Sequence, residues 1–152
     1  MSIYRVLVVD DDKLSREFLA HATEALGYQA LAVSSGAAAL EALNQSSFDL
    51  VLTDLRMPEM NGLELVERLQ SDHPEVPSVV VTAHGSIDDA VKALRIGAAD
   101  FLMKPCSPDT LSMVIDRLVQ TAKLMRENDY LRSEYVEGNT GDYIAKSPRT
   151  QA

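Results

Sequence analysis

Polar residues that can bind ions or take part in a reaction lie at the ends of short apolar runs in this sequence. The runs VLVV, LVLT, VVVT and FLM lead to, or end in, Asp10 with Asp11, Asp54, Thr82 and Lys104, in that order. If these runs are strands of an open parallel sheet, their carboxyl ends share one edge, where ligands bind. We therefore expect these widely separated side chains to converge on one cleft.

The residue types in this cleft predict phosphoryl chemistry. Two unit charges about 4 Å apart repel by about 4 kcal/mol at an effective dielectric near 20, so clustered aspartates either protonate or hold a cation. Hard oxygen ligands suit Mg²⁺, which retains waters and often bridges carboxylate to phosphate. Lys104 supplies a point charge for an anion, and Thr82 supplies a hydroxyl donor. An aspartate can act as a nucleophile at such a site and form an acyl phosphate.

The elements that must position these residues alternate regularly along the chain. Strands are predicted at residues 3–9, 29–33, 50–53, 78–82 and 100–103. Helices are predicted at 13–26, 36–44, 62–72 and 86–95, with a fifth opening at Ser107 or Pro108. Continuous β-branched runs such as VLVV are typical of strands covered on both faces. The pattern predicts an α/β fold, a doubly wound parallel sheet of five βα units with right-handed crossovers.

Composition narrows the class of protein further. Among 152 residues, 14 Lys and Arg oppose 23 Asp and Glu, a formal net charge of −9. This balance disfavours contact with nucleic acid or with a membrane surface, which requires surplus basic residues. The single cysteine, Cys106, excludes an internal disulfide, and we expect it to pack as a small residue. With no recognisable signal peptide or membrane span, the sequence predicts a cytoplasmic protein.

The last predicted helix is longer than the domain needs. No Pro or Gly interrupts the chain between Asp109 and Gly138, and a helix of that length extends about 40 Å. We expect a domain over residues 1–120 and a helical linker over 121–137 that forms a coiled-coil homodimer. The alternative is a helix that frays beyond Gln120. Residues 138–152 are polar and aperiodic, and are predicted to be flexible.

The segments VLVVDDD, LVLTDLRMPEMNGLEL, VVVTAHG and GAADFLMKP together resemble the receiver domain of bacterial two-component response regulators. The resemblance covers residues 3–120 and includes the acidic pair, the D-x-x-M-P-x-x-x-G loop, the switch threonine and the Lys-Pro pair, all in order. It implies a flavodoxin-like sheet with strand order 2-1-3-4-5.

The resemblance also implies a role for each residue of the cleft. Asp54 is expected to accept a phosphoryl group from the phosphohistidine of a sensor histidine kinase. Asp11, Asp54 and the backbone carbonyl of Arg56 are expected to ligate Mg²⁺, or Mn²⁺ in its place, with Asp10 acting through water. Lys104 is expected to pair with the phosphoryl oxygens. No separate organic cofactor is implied.

The resemblance further implies a conformational switch. Thr82 is expected to move toward the phosphoryl group, and Phe101, at the switch-aromatic position, to turn inward with it. The Lys104–Pro105 bond is expected to be cis, which only proline makes cheap. The output face is expected to consist of the helix at 86–95, the strand at 100–103 and the final helix. The side chains of Arg56 and His84 either line the site or lie exposed in loops.

The segments TAHGSIDDAVKALRIGAADFLMKP and LMRENDYLRSEY are similar to nitrogen-regulation-type, sigma-54-dependent transcription activators. In such proteins a helical linker joins the receiver to an AAA+ ATPase and a DNA-binding domain. YIAKSPRTQA resembles the entry to that ATPase, although Ala145 and Thr150 replace the usual Gly and Met. The chain contains no G-x-x-x-x-G-K-[ST] motif, so we expect a receiver with its linker, leading toward an ATPase domain absent from this sequence.

Three alternatives remain open from the sequence. A stand-alone, single-domain response regulator would carry the same motifs. A Mg²⁺-dependent phosphohydrolase commonly uses Asp-x-Asp, but Arg56 occupies the second position here. An interaction module that is never phosphorylated would lack some of the acidic and basic residues present. We therefore expect a protein that assists only its own phosphorylation and dephosphorylation and is not otherwise an enzyme.

Overall fold

The computed structural model describes residues 4–121 and residue 124. Five strands form one parallel sheet in the order β2-β1-β3-β4-β5, which confirms the predicted topology. The strands are β1 (Arg5–Val9), β2 (Gln29–Val33), β3 (Leu50–Thr53), β4 (Ser78–Thr82) and β5 (Asp100–Met103). The predicted bounds are correct except at β1, which begins at Arg5 instead of residue 3.

Helices connect the strands at nearly the predicted bounds. They are α1 (Lys13–Ala25), α2 (Gly36–Gln45), α3 (Gly62–Asp72), α4 (Ile87–Arg95) and α5, which begins at residue 108 and is described to residue 121. Asp12 caps α1, accepting a hydrogen bond from the Ser15 amide at 2.8 Å. The helix predicted to begin at Ser86 begins one residue later, because Ser86 is extended and forms a reciprocal capping box with Asp89.

Strand side chains alternate between two apolar layers, which explains the continuous apolar runs. β1, β3 and β4 are covered on both faces, so both sets of alternate residues are buried. On one face, Val6 and Val8 of β1 pack with residues of α1 and α5, including Leu19, Leu111 and Ile115. On the other face, Leu7 and Val9 pack with α2 and α3 residues, including Ala39, Leu43, Leu65 and Leu69.

The chain divides into two compact units, Met1–Val119 and Gln120–Ala152. The sheet and α1 to α4 belong to the first unit. The predicted linker helix, apart from residues 121 and 124, and the polar segment 138–152 lie outside the described residues. Within the described part of the chain, no helix combines the length and apolar character that crossing a bilayer demands.

Leu7 and Leu31 allow an interior strand of the sheet, β1, to be compared with an edge strand, β2. They are register partners on neighbouring strands, yet Leu7 is fully buried and Leu31 is 44% exposed. We expect Leu7→Ala to lower the free energy of unfolding by about 2–5 kcal/mol, because it removes buried methyl groups and leaves a cavity. Leu31→Ala is the matched control and should cost about 1 kcal/mol or less. Equal losses in equilibrium urea unfolding would contradict this account of the sheet.

Candidate functional site

The carboxyl edge of the sheet brings together residues that follow three different strands. Asp10 follows β1, Asp54 follows β3 and Lys104 follows β5. Sheet-type hydrogen bonding continues past the strand ends, from the Asp54 amide to the Val9 carbonyl (2.9 Å) and from the Lys104 amide to the Thr82 carbonyl (2.8 Å). The backbone of each residue is therefore held against the neighbouring strand, and the predicted convergence on one edge is observed.

The Lys104 ammonium lies between two carboxylates. Its Nζ atom is 2.7 Å from Asp10 Oδ2 and 3.3 Å from Asp54 Oδ2. Asp10 is fully buried, Asp54 is 7% exposed, and the Lys104 side chain is 19% exposed. Buried carboxylates are costly unless a cation pairs with them, because they lose their hydration. Lys104 therefore stabilises the two buried carboxylates.

The charge of Lys104 reflects two opposing influences. Burial lowers the pKa of Lys104, but the hydrogen bond that Lys104 donates to Asp10 and the negative charges of Asp10 and Asp54 act in the opposite direction. The net result is a pKa raised above the ordinary value of 10.5. Lys104 is consequently an ammonium cation at neutral pH.

Asp11 adds a third carboxylate to this edge. Asp10, Asp11 and Asp54 each present an oxygen atom within 4.8 Å of the others, and Asp11 is exposed. Lys104 contacts two of these three carboxylates, and the Arg16 guanidinium donates to the Asp10 backbone carbonyl at 2.9 Å, so the Asp11 carboxylate has no ion pair with Lys104. Carboxylate oxygens of two buried aspartates beside the exposed Asp11 match the preference of hard divalent cations for oxygen ligands and retained waters. The residues present therefore fit the predicted cation.

Backbone amides hold two of the carboxylates in place. Asp10 Oδ1 accepts a hydrogen bond from the Asp12 amide at 3.0 Å. Asp54 Oδ1 accepts from the amides of Leu55 (2.6 Å) and Arg56 (3.4 Å), while its Oδ2 faces the lysine. The two Asp54 oxygens therefore have different partners. Oδ1 accepts from the loop backbone, and Oδ2 accepts from the Lys104 ammonium.

The loop after Asp54 depends on a close backbone approach. The Gly62 amide donates to the Leu55 carbonyl at 2.8 Å. A Cβ atom on Gly62 would collide with the carbonyl oxygen of Asp54 and lie 2.9 Å from Leu55 Cα. Only glycine lets the start of α3 approach the backbone of the candidate acceptor this closely. Sequence reasoning included this glycine only as a motif position.

Thr82 and Phe101 lie on the neighbouring strands β4 and β5. Thr82 is fully buried, and its Oγ1 atom accepts a hydrogen bond from the His84 amide at 3.2 Å. Phe101 is half-buried and packs against an apolar cluster that includes Leu55 and Val80. Thr82 is therefore linked to Lys104 through its backbone carbonyl, which accepts from the Lys104 amide. Its hydroxyl is instead bound by the loop that follows β4.

The side chains of Arg56 and His84 are exposed in loops, which is one of the two alternatives that the sequence left open. The Arg56 side chain is 62% exposed, with Nη2 3.4 Å from Asp89 Oδ2 and Nε donating to the His84 carbonyl at 3.4 Å. His84 is exposed and joins the loop through its backbone. Arg56 therefore connects the loop after β3 with the first turn of α4. Sequence reasoning missed this role of Asp89, since nothing in the spacing indicates a pair separated by 33 positions.

Three further expectations concern the surroundings of the site. The Lys104–Pro105 peptide bond is cis, as the resemblance implied. Met57 is buried in the apolar layer beside α2 and α3, and Cys106 is half-buried against the opposite layer. Cys106 therefore packs as expected, and Met57 also contributes to the apolar core.

Comparison with known proteins agrees with this fold and site. Residues 6–116 match the model of the response regulator receiver domain, and the chain belongs to this family. It is 41% identical over 117 residues to the luminescence regulatory protein LuxO of Vibrio campbellii, covering 76% of this chain and 26% of LuxO. It is 36% identical over 146 residues to the DNA-binding transcriptional regulator NtrC of Escherichia coli K12, covering 96% of this chain and 30% of NtrC. The chain therefore spans less than a third of the length of these relatives.

Solved structures show the same similarity. NtrX from Brucella abortus superposes with a TM-score of 0.80 at 35% identity, over 86% of this chain and 30% of NtrX. A CheY-like receiver domain protein from Methanospirillum hungatei gives a TM-score of 0.78 at 28% identity, over 82% of this chain and 99% of that protein. Receiver domains are signalling modules that interact with sensor histidine kinases and are not a catalytic enzyme family.

The position of Lys104 generates a stability prediction. In the absence of divalent cations, Lys104→Met should lower the free energy of unfolding by about 3 kcal/mol, because the buried Asp10 carboxylate loses its cation while Asp54 remains beside it. Arg68→Met is the control, since Arg68 pairs at 3.8 Å with Asp72 on an exposed face of α3. That variant should lose less than about 1 kcal/mol. Chemical unfolding in the presence of a chelator measures both, and similar losses would refute the supporting role of Lys104.

Proposed function

We propose that this receiver domain accepts a phosphoryl group on Asp54 from the phosphohistidine of a sensor histidine kinase, in a reaction that requires Mg²⁺. The observation that carries the proposal is the meeting of three carboxylates within 4.8 Å, with the Lys104 ammonium between two of them. Membership of the receiver family supports it. The set combines a nucleophile, a place for a cation and a fixed positive charge.

The residues divide the work of the transfer. An Asp54 carboxylate oxygen attacks phosphorus, a P–O bond forms, and the P–N bond to the kinase imidazole breaks, leaving an acyl phosphate. Lys104 Nζ lies 3.3 Å from Asp54 Oδ2, so it is close enough to contact a group bound to that carboxylate. Its positive charge stabilises the phosphoryl oxygens in the transition state.

A divalent cation completes the proposed site. Asp11, Asp54 and the backbone carbonyl of Arg56 would hold Mg²⁺, with Asp10 acting through water. Mn²⁺ would serve in its place, because it also prefers carboxylate and water oxygens. When bound, the cation neutralises negative charge on the phosphoryl group. Its presence also relieves the repulsion among the three carboxylates.

The proposed output is a change in the β4–α4 region. Thr82 would leave its bond with the His84 amide and turn its hydroxyl toward the phosphoryl oxygens, and Phe101 would turn inward with it. One local charge event would thereby bias a two-state element. The surface formed by α4, β5 and α5 would carry the signal onward.

For the whole protein, we propose a sigma-54-dependent transcription activator in the cytoplasm. LuxO and NtrC are named as regulators, and this chain covers only 26% and 30% of them. Residues 138–152 would then lead toward an AAA+ domain, and DNA contact would belong to the parent protein rather than to this acidic chain. A stand-alone regulator is the second candidate. A phosphohydrolase is disfavoured, because Arg56 occupies the position of the second catalytic aspartate and pairs with Asp89.

Phosphoryl transfer to Asp54 is directly testable. With Mg²⁺ and a small phosphodonor such as acetyl phosphate, the wild type should gain one phosphoryl mass in intact mass spectrometry. Asp54→Asn should gain none, because the amide is a poor nucleophile, and a chelator should abolish the gain in the wild type. Asp72→Asn, an exposed aspartate on α3, is the control and should react normally. Persistent labelling of Asp54→Asn would disprove the assignment.

The homodimer proposed through the final helix and linker has a separate test. The full chain should be dimeric by light scattering, whereas a chain ending at Gln120 should be monomeric at the same concentration. The truncated chain retains the unit Met1–Val119, and its circular dichroism spectrum serves as the folding control. Equal masses per particle for the two chains would contradict dimerisation through the linker.

A further inference from the structure

Gly85 lies in the loop between β4 and α4, immediately before the cap residue Ser86. A Cβ atom placed on Gly85 would lie 2.5 Å from Phe101 Cζ and 2.9 Å from Phe101 Cε1. It would also lie 2.9 Å from Thr82 Cγ2. These separations are shorter than carbon atoms tolerate. The tip of the Phe101 ring and the Thr82 methyl group therefore border the volume that a side chain at position 85 would occupy.

The backbone does not explain the glycine at this position. Gly27 and Gly97 have φ angles of 97° and 116°, in the region that disfavours other residues, whereas Gly85 is not among the glycines with positive φ. An alanine could therefore adopt the Gly85 backbone without dihedral strain. The restriction at Gly85 is steric, and it comes from two side chains.

Those two side chains are the pair that the switch would use. Threonine carries its methyl and hydroxyl groups on one Cβ atom, so a single χ1 rotation moves both. While the Thr82 methyl borders the space under Gly85, its hydroxyl accepts the hydrogen bond from the His84 amide at 3.2 Å. A group that displaced the methyl would also displace the hydroxyl. The tip of the Phe101 ring borders the same volume, so a side chain at position 85 would meet the ring as well as the methyl.

We propose that Gly85 is a positioning residue for the phosphoryl site, which acts by leaving free the space that Phe101 Cζ and Thr82 Cγ2 both border. The orientation of the Thr82 hydroxyl then depends on the position of the aromatic ring. This inference rests on the proposed function, in which that hydroxyl approaches the phosphoryl group. It attributes the coupling between Thr82 and Phe101 to the absence of a Cβ atom on Gly85.

The test is Gly85→Ala, with two independent measurements. The first is the proton chemical shift of the Thr82 methyl, which the nearby ring perturbs and which requires no phosphoryl chemistry. The second is the rate of phosphoryl uptake from acetyl phosphate with Mg²⁺. We expect the methyl shift to change and uptake to slow about tenfold, since small misplacements of catalytic groups have large effects on rate. An unchanged shift or an unchanged rate would overturn the proposal.

Gly36→Ala is the matched control. A Cβ atom there would lie 2.6 Å from Met60 Sδ, so the substitution also displaces the end of a flexible side chain. Since that contact involves neither Thr82 nor Phe101, the methyl shift and the uptake rate should both match the wild type. Thermal unfolding of each variant establishes that the measurements compare folded proteins. Slowed uptake in Gly36→Ala equal to that in Gly85→Ala would overturn the proposal.

A rescue experiment separates positioning from damage to the loop. In a Phe101→Leu background the alanine methyl still meets the Thr82 methyl, but the space that the ring vacates lets the alanine move away from it. Gly85→Ala should therefore slow uptake by less than about threefold relative to Phe101→Leu alone. A full tenfold loss in that background would show that the effect does not depend on the Phe101 ring, and would overturn the proposal. If the wild type accepts no phosphoryl group, the proposed function fails. The methyl shifts still decide whether Gly85 positions Thr82.

Discussion

The crowding of three carboxylates at one edge of the sheet is the constraint on which the rest of this structure depends. Asp10 is fully buried and Asp54 nearly so, and their main protein cation is Lys104 at the end of β5. Without that ammonium the folded chain would hold unpaired charge in a low-dielectric environment. With it, the Asp11 carboxylate still has no ion pair with Lys104, and three clustered carboxylates attract a divalent cation.

The apolar layers make this arrangement possible by keeping the strand ends in register. β1 and β3 lie inside the sheet with their side chains buried on both faces, and they carry Asp10 and Asp54. β5 is an edge strand whose residues are partly or largely exposed, and it carries Phe101 and leads to Lys104. The carboxylates thus stand on the most constrained strands. The aromatic residue lies on the edge strand, and the lysine that follows this strand reaches back to the two carboxylates.

The connections around α4 extend from the site into the surface. Arg56 joins the loop after β3 to Asp89, and the Asp89 carboxylate also accepts from the Ser86 amide to cap α4. The exposed Arg56 pair is weak by itself, since solvent screens it. The pair matters because it lies on the loop after β3. This loop begins with the two backbone amides that donate to the Asp54 carboxylate. A change at Asp54 therefore has a short covalent and hydrogen-bonded route to the start of α4.

The sequence alone determined the element order, the parallel sheet, most helix and strand bounds, and the set of residues at its carboxyl edge. Local signals suffice for these, because continuous apolar runs, capping residues and glycine stops are encoded over a few neighbouring positions. Only the tertiary structure decided that Lys104 lies between Asp10 and Asp54, that Arg56 reaches Asp89, and that Gly85 leaves space for Phe101 beside Thr82. These contacts join different strands and loops, so they depend on side-chain packing between distant segments, which no local pattern encodes.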